Sequence, residues 1–126
     1  MPTNFENLEV WKECRILRRS ISQLVKTFPS EEKFRLVDQL VRSSRSTTAN
    51  IAEGHGRYHF QENIQFCRHT RGSLEEVLDH LICALDEEYI TESKLNDYRV
   101  QIDKCLKLLN GYIAYLQKQK ENDKQK

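Results

Sequence analysis

Proline and glycine are scarce in this sequence, whose 126 residues include two prolines and four glycines. Tight turns depend on these residues, so the scarcity argues against a β-rich fold and favours one domain of long helices. The formal net charge is +1, which gives no bulk-charge reason to bind a polyanion. There is no apolar run near the roughly 18 residues of a membrane span, and no basic and apolar N-terminal leader. We therefore expect a cytoplasmic protein with no membrane partner.

The charges are unevenly distributed along the chain. Residues 1–72 hold 12 Lys and Arg against 8 Asp and Glu, residues 73–103 hold 2 against 9, and residues 104–126 hold 6 against 2. A basic and an acidic segment of this kind can meet between subunits, or the basic one can face a polyanion.

Four amphipathic segments carry apolar side chains three or four residues apart, the spacing of helices that bury one face. They predict helices at about 8–28, from Ser30 to a glycine-containing turn at 54–56, at 59–88, and from a Thr91 N-cap onward. Short links and the absence of a strand pattern predict an all-α, antiparallel up-down-up-down four-helix bundle over residues 1–116. Residues 117–126 contain no apolar side chain and are predicted to be a disordered polar tail.

The stretch 43–57 is the predicted centre of the bundle. Small side chains there allow another helix to come close, and Gly54 and Gly56 are predicted to end the helix with positive φ. Phe34 is predicted to belong to the buried face of the same helix. In the third helix Arg71 has the phase of the buried face, and Gly72 is predicted to mark a close helix contact.

The patterns of catalytic and metal sites are missing. The bundle has no paired Glu-x-x-His motifs, and no second pair completes a zinc site with His80 and Cys83. The four cysteines fall on or beside apolar stripes and are predicted to be buried, inert thiols: Cys14, Cys67, Cys83 and Cys105. We expect no enzyme activity, no cofactor and no metal; a hydrolase or metal protein is the remote alternative.

A basic surface is the main functional candidate. Side chains on the first two helices are predicted to face solvent together and to contact phosphates, and two further arginines extend this patch: Lys12, Arg15, Arg19, Arg42, Arg45, Arg57 and Arg68. The alternative is that they are ordinary surface charges paired with Glu9, Glu13 and Asp38. A second alternative is that Glu75, Glu76 and Asp79 pair with Arg42, Arg45 or Arg71 of a neighbouring subunit.

Several motifs resemble one protein family in order and spacing. They are Leu-Glu-Val-Trp at 8–11, Phe-Pro-Ser-Glu-Glu at 28–32, Gln39 with Arg42, Asn-Ile-Ala-Glu-Gly-His-Gly-Arg at 50–57, and Arg-Gly-Ser-Leu-Glu-Glu at 71–76. The family is the four-helix-bundle group named for reading frames in intervening sequences of bacterial large-subunit rRNA genes. Many of its members are labelled ribosomal-protein-like. It includes the accessory variability determinant of diversity-generating retroelements.

The resemblance implies a small cytoplasmic bacterial protein without enzyme activity that assembles into a ring, usually a homopentamer. For the retroelement member it implies binding to nucleic acid and to a reverse transcriptase. This chain departs from the family at 46–49, where relatives more often carry Ser-Ile-Pro, and it looks less basic than the retroelement members. Seven residues of the matching motifs are expected to serve structure or assembly: Trp11, Asn50, Glu53, Gly54, Gly56, Arg71 and Gly72.

The sequence therefore predicts a non-enzymatic, ring-forming scaffold. It would bind RNA or DNA backbone through a basic helix surface and could engage a protein partner such as a reverse transcriptase or the ribosome. The alternative is a bundle that binds only protein, with no role for nucleic acid.

Overall fold

Four α-helices form an antiparallel bundle, which a computed structural model describes for residues 4–124. They are α1 (Glu9–Leu24), α2 (Leu36–His55), α3 (Phe60–Asp86) and α4 (Glu92–Lys124). Single 3-10 turns lie at Phe5–Asn7, Val25–Thr27 and Ser30–Glu32, and residues 4–124 contain no strand. Each helix packs beside the next one, and α4 also packs against α1. The predicted helical bundle is confirmed.

The connection between α1 and α2 differs from the prediction. Phe28 is extended, with φ −79° and ψ 155°, as expected for a residue that precedes proline. A 3-10 turn at Ser30–Glu32 follows, and α2 begins at Leu36 rather than at Ser30. Phe34 lies before the helix and is 84% exposed, so its predicted burial is wrong.

The start of the long helix α4 agrees with the sequence prediction, and its end differs from it. The backbone N–H of Lys94 donates to Thr91 Oγ1 at 3.1 Å, which confirms Thr91 as the N-cap. At the other end α4 continues to Lys124, through most of the segment predicted to be a disordered tail. Residues 125 and 126 of that predicted tail, and residues 1–3 of the predicted domain, lie outside the described residues.

The core is continuous along the bundle and contains large side chains from all four helices. Fully buried members include Leu17, Ile21, Leu40, Ile51, Ile64, Leu74, Val77, Leu81, Ile102 and Leu109. Cys14, Cys67 and Cys105 are buried as predicted, whereas Cys83 is exposed. Cys83 precedes Ala84, which is the residue of that turn that faces the core, so the predicted burial of Cys83 is wrong.

The buried face of α3 is rotated from the predicted one. Thr70 and Val77 are fully buried, whereas Arg71 is exposed and its Nη2 donates to Asn110 Oδ1 at 2.7 Å. A near-heptad count back from Leu74 and Leu78 assigned Arg71 to the core. The helix instead turns Thr70 inward, so the predicted position of Arg71 on the buried face is wrong.

The small residues of α2 lie against α3, as predicted. Ser46 Oγ and Ser73 Oγ are 2.8 Å apart, and Thr70 Oγ1 donates to the Thr47 carbonyl at 3.1 Å. A hydroxyl of one helix reaches the backbone of the other only when the two axes are close. Small side chains at this level make that approach possible.

Gly54 is required for steric reasons, because it leaves room for α3, and not because it adopts a positive φ. A Cβ on Gly54 would lie 2.7 Å from Asn63 Oδ1 and 2.8 Å from Phe66 Cβ, so the close approach requires glycine there. Gly56 has φ −77°, and positive φ occurs among the described residues at Glu88 rather than at any glycine. The predicted positive φ of Gly54 and Gly56 is therefore wrong. A Cβ on Gly72 would meet nothing within 4 Å among the described residues, so the close contact predicted there is also wrong.

Candidate nucleic-acid interface

Three arginines line one groove between α1 and α2. Arg18 and Arg19 come from α1 and Arg45 from α2. Ser22, Val41 and Ser44 complete the walls of this groove, which has a volume of about 130 Å³. We call it the arginine groove. Consecutive residues of a helix point about 100° apart, so Arg18 faces α2 while Arg19 turns toward solvent.

Arg18 is positioned by a hydrogen bond to α2. Its Nη1 donates to Thr48 Oγ1 at 2.8 Å, and the Thr48 hydroxyl donates in turn to the Arg45 carbonyl at 3.2 Å. The prediction missed Arg18, because its contact with Thr48 depends on how α1 is aligned against α2. The adjacent Arg18-Arg19 pair was the available signal.

The arginine groove keeps its positive charge. Within residues 4–124, Arg18, Arg19 and Arg45 have no carboxylate partner within 4 Å. Glu13, a predicted partner of the basic patch, instead pairs with Lys104 of α4, at 3.4 Å. The groove therefore remains available to an anion.

The other basic residues predicted for this surface on α1 and α2 already contact neighbouring side chains. Lys12 Nζ lies 3.4 Å from Glu9, and Arg42 Nε lies 3.2 Å from Asp38. The Arg15 guanidinium lies 5.6 Å from the centre of the Trp11 ring, a cation–π distance. Arg15 and Arg19 are separated by about 6 Å along the helix axis at 1.5 Å per residue. Arg15 lies one turn before Arg19 but does not line the groove, and the ion pairs of Lys12 and Arg42 offset part of the charge of these two residues.

Arg57 and Arg68 are not part of this surface. Arg57 pairs with Glu53 at 2.7 Å and with Glu62 at 3.7 Å, and it lies 5.0 Å from the Phe66 ring centre. Arg68 lies on the α2–α3 side and donates to Gln65 at 3.0 Å. Arg57 and Arg68 line depressions other than the arginine groove, so they do not extend the patch as predicted.

A wide hollow occurs on the α2–α3 side of the bundle. Its volume is about 570 Å³, and its lining is mostly polar: Ser46, Asn50, Phe66, Arg68, His69, Gly72, Ser73 and Glu76. We call it the α2–α3 hollow. Within the lining, Asn50 Nδ2 donates to the Ser46 carbonyl of the same helix at 2.8 Å.

The remaining residues assigned to structure or assembly have local roles. Glu53 pairs with Arg57. Trp11 is half-buried, and its ring meets the Phe5 ring edge-on at 5.3 Å. No ion pair of Glu75 or Asp79 occurs among the described residues, and Glu76 lies 3.9 Å from His80, so their pairing with a neighbouring subunit stays a prediction.

Three of the cysteines have raised pKa values that favour the neutral thiol. Burial raises the pKa of Cys67 to about 12 against the opposing charge of Arg71, and a hydrogen bond with Cys14 together with burial raises the pKa of Cys105. Desolvation and then the carboxylate of Asp79 raise the pKa of the exposed Cys83. Thiolate nucleophiles are therefore disfavoured at neutral pH at these three positions.

The part of the chain from 4 to 124 contains no cluster of three or more His, Cys, Asp or Glu residues able to hold a metal ion. Over the same residues, every helix is too polar or too short to cross a bilayer.

Comparisons with known proteins agree with the fold. A crystal structure of a protein of unknown function from the S23 ribosomal protein family of Bacteroides thetaiotaomicron is 25% identical to this chain, with a TM-score of 0.75. The alignment covers 82% of this chain and 97% of that one. No curated protein sequence matches. The model of the 23S rRNA-intervening sequence proteins matches residues 6–111, most of the helical bundle, and the chain therefore belongs to the 23S rRNA-intervening sequence protein family.

Proposed function

We propose that this protein is a non-enzymatic scaffold that binds the phosphate backbone of nucleic acid through the arginine groove. One observation carries the proposal: Arg18, Arg19 and Arg45 converge from two helices with no carboxylate partner among residues 4–124. Among the described residues an unpaired arginine is common on this surface; these three differ because they line one groove together, whereas Arg42 and Arg57 are paired with Asp38 and Glu53.

The groove suits a phosphate for geometric reasons. A guanidinium presents a planar fork of N–H donors that matches two phosphate oxygens. Thr48 holds Arg18 in place, so binding costs less side-chain entropy at that residue than at a free arginine. Contacts of this kind position a strand without selecting its sequence. RNA is the first polyanion to test, because the matching family is described by its relation to 23S rRNA.

Charge reversal in the groove tests the proposal. We would titrate a labelled single-stranded and a duplex RNA at low and at moderate salt with the wild type and with Arg19→Glu/Arg45→Glu. The matched control is Arg99→Glu/Lys107→Glu, which makes the same change of charge at two exposed residues of α4. We expect the groove variant to lose binding to the duplex and to bind the single strand more weakly, and the control to bind both RNAs as the wild type does. Each lost phosphate contact should reduce the salt slope by about 0.7–0.9.

Equal binding losses in the groove variant and the control would mean that net charge alone attracts RNA, which contradicts the proposed site. Absence of binding by the wild type at low salt would reject the function. Folding of each variant is checked by circular dichroism, since both pairs of residues are exposed and the helices should be unaffected.

The proposal includes self-association into a homo-oligomer, with a pentameric ring as the specific form, and a protein partner such as a reverse transcriptase or the ribosome. A ring would repeat the arginine groove once per subunit, so several weak phosphate contacts could act together on one strand. Light scattering at several protein concentrations measures the subunit number, and a mass that stays at one chain would reject this part.

A second candidate function is self-assembly or protein binding without nucleic acid. The α2–α3 hollow supports it, because Gly72 leaves bare helix backbone there and a Cβ on Gly72 would meet nothing within 4 Å among the described residues. Gly72→Leu would place an apolar side chain in the hollow at a position where its Cβ meets nothing within 4 Å among the described residues. Loss of the oligomer in this variant, with no RNA bound by the wild type, would favour this candidate.

A further inference from the structure

Two tyrosines are exposed at the end of the bundle where α2 turns into α3. Tyr58 lies in the turn and is 92% exposed, and Tyr115, on the adjoining part of α4, is 56% exposed. A single exposed tyrosine is ordinary, but these two rings line one depression at the same end of the bundle, which makes this end a candidate contact surface.

The two tyrosines line a common depression of about 200 Å³, together with Tyr112, His55 and His59. Tyr58 also borders a second depression of about 460 Å³, which is lined by Phe60, Gln61, Lys120, Asp123 and Lys124. The ring of Tyr58 therefore stands between an aromatic depression and one with lysines. We call this surface the tyrosine end.

The lysines of the second depression are available to an anion. Lys120 Nζ donates to Gln61 Oε1 at 2.6 Å, which leaves its charge uncompensated. Within residues 4–124 neither Lys120 nor Lys124 has a carboxylate within 4 Å, although Asp123 shares the lining. The nearby Arg57 is already occupied by Glu53 and Glu62.

One tyrosine of the aromatic depression, Tyr112, is fixed by a buried side chain. Asn63 is buried, and its Nδ2 lies 3.1 Å from the hydroxyl of Tyr112. The Tyr112 and Tyr115 rings are nearly parallel, with planes inclined by 14° and centres 6.4 Å apart. Asn63 therefore fixes Tyr112, and the neighbouring Tyr115 ring is 56% exposed and open to stacking by a flat ligand.

We propose that the tyrosine end binds unpaired nucleotides of a single strand, with bases stacked on Tyr58 and Tyr115 and phosphates near Lys120 and Lys124. Exposed aromatic rings beside uncompensated cations are the arrangement that binds single strands with little sequence preference. A duplex is excluded from the stacking contact, because its bases already cover each other's faces. The site is separate from the arginine groove, and it adds a preference for single strands that the groove alone would not have.

Ring removal tests the proposal in the full-length protein. We would measure the affinity of the wild type, Tyr58→Ala/Tyr115→Ala and Tyr58→Phe/Tyr115→Phe for a short single-stranded RNA and for an abasic strand of the same length. The alanine variant should bind the RNA at least about tenfold more weakly, and the phenylalanine variant should stay within about twofold, because stacking requires the ring rather than the hydroxyl. The three proteins should bind the abasic strand equally.

Equal affinity of the alanine variant and the wild type for the RNA would overturn the proposal. So would an equal loss on the abasic strand, or a loss that the phenylalanine variant shares, since either result would assign the surface to something other than base stacking. Failure here is distinguishable from failure of the arginine groove. Suppose that Tyr58→Ala/Tyr115→Ala binds the single-stranded RNA more weakly while Arg19→Glu/Arg45→Glu binds it as tightly as the wild type. That result would support the tyrosine end and reject the arginine groove.

Discussion

The helix α2 has two neighbours and meets them in opposite ways. Against α3 its backbone approaches closely along the contact between the two helices, where Ser46 touches Ser73 and Gly54 fits against Asn63, while the α2–α3 hollow lies on the solvent-facing side of this contact. Against α1 it leaves a groove whose walls carry Arg18 and Arg45. Both sides of α2 are rich in serine and threonine, so the composition of α2 alone does not explain the difference.

The neighbours decide which side closes. At this level α3 presents Thr70 and Ser73, which are small and can bond to α2. At the same level α1 presents the long side chain of Arg18, which reaches across to Thr48. A small residue allows a close helix contact only where the partner helix also presents small residues. The same small residue opposite a long cationic side chain leaves a polar groove.

The largest expected effect comes from filling the closed side. Gly54→Leu should destabilise the protein by about 2–3 kcal/mol, because its side chain meets Asn63 and the Phe66 Cβ atom, which cannot move without shifting α3. Urea unfolding at one fixed protein concentration measures this, since oligomerisation would otherwise change the apparent stability. Gly72→Leu is the matched control, and equal losses in the two variants would contradict the difference between their surroundings.

Removing one hydrogen bond from the closed side is expected to have the next largest effect. Thr70→Val keeps the shape of a fully buried side chain but loses the bond to the Thr47 carbonyl, which should cost about 1 kcal/mol. The midpoint of urea unfolding should fall while the slope stays constant. An unchanged midpoint would mean that the α2–α3 contact depends on packing alone.

A substitution in the α2–α3 hollow is expected to stabilise the protein, in contrast to the two destabilising substitutions above. Gly72→Ala adds a methyl group to the middle of α3 where nothing among the described residues lies within 4 Å. The helical preference of alanine over glycine should therefore raise the free energy of unfolding by up to about 1 kcal/mol. A lower thermal midpoint in a confirmed monomer would show that the hollow is closed in solution.

The smallest effect is expected on the open side of α2. Thr48→Val removes the acceptor of Arg18, but this half-buried arginine can turn to water, so the loss should stay within about 0.5 kcal/mol. A loss as large as that of Thr70→Val would mean that the two sides of α2 are equally closed. The same variant should weaken RNA binding slightly if Arg18 contacts phosphate.

The sequence predicted the helices best where one apolar stripe decides the orientation. The buried faces of α1 and α4 follow the three-and-four spacing, as at Leu17, Ile21, Ile102 and Leu109. On α3, Arg71 and Thr70 compete for the same turn, and a near-heptad count selects the wrong one of the two. Phe34 was misassigned because apolar spacing does not reveal that three residues form a 3-10 turn before α2 begins.

The candidate site was less predictable than the fold. Exposure of Arg19 and Arg45 follows from helical phase, but the role of Arg18 requires the alignment of α1 against α2, which a single sequence does not contain. The misplacement of Arg57 and Arg68 has the same origin, because their position depends on which two helices share a surface. Tyr58 and Tyr115 are 57 positions apart in sequence and meet only through the antiparallel order of α3 and α4.

The buried hydroxyls of α2 have a consequence for how that helix is held. Ser43, Ser44, Thr47 and Thr48 each donate to a carbonyl of α2 itself, at 2.7–3.4 Å. These groups need nothing from α3, so an axial shift of one helix past the other would leave none of them without an acceptor. The axial alignment of α2 against α3 therefore depends on the contacts of Thr47 with Thr70 and of Ser46 with Ser73, and on the close fit of Gly54 against Asn63.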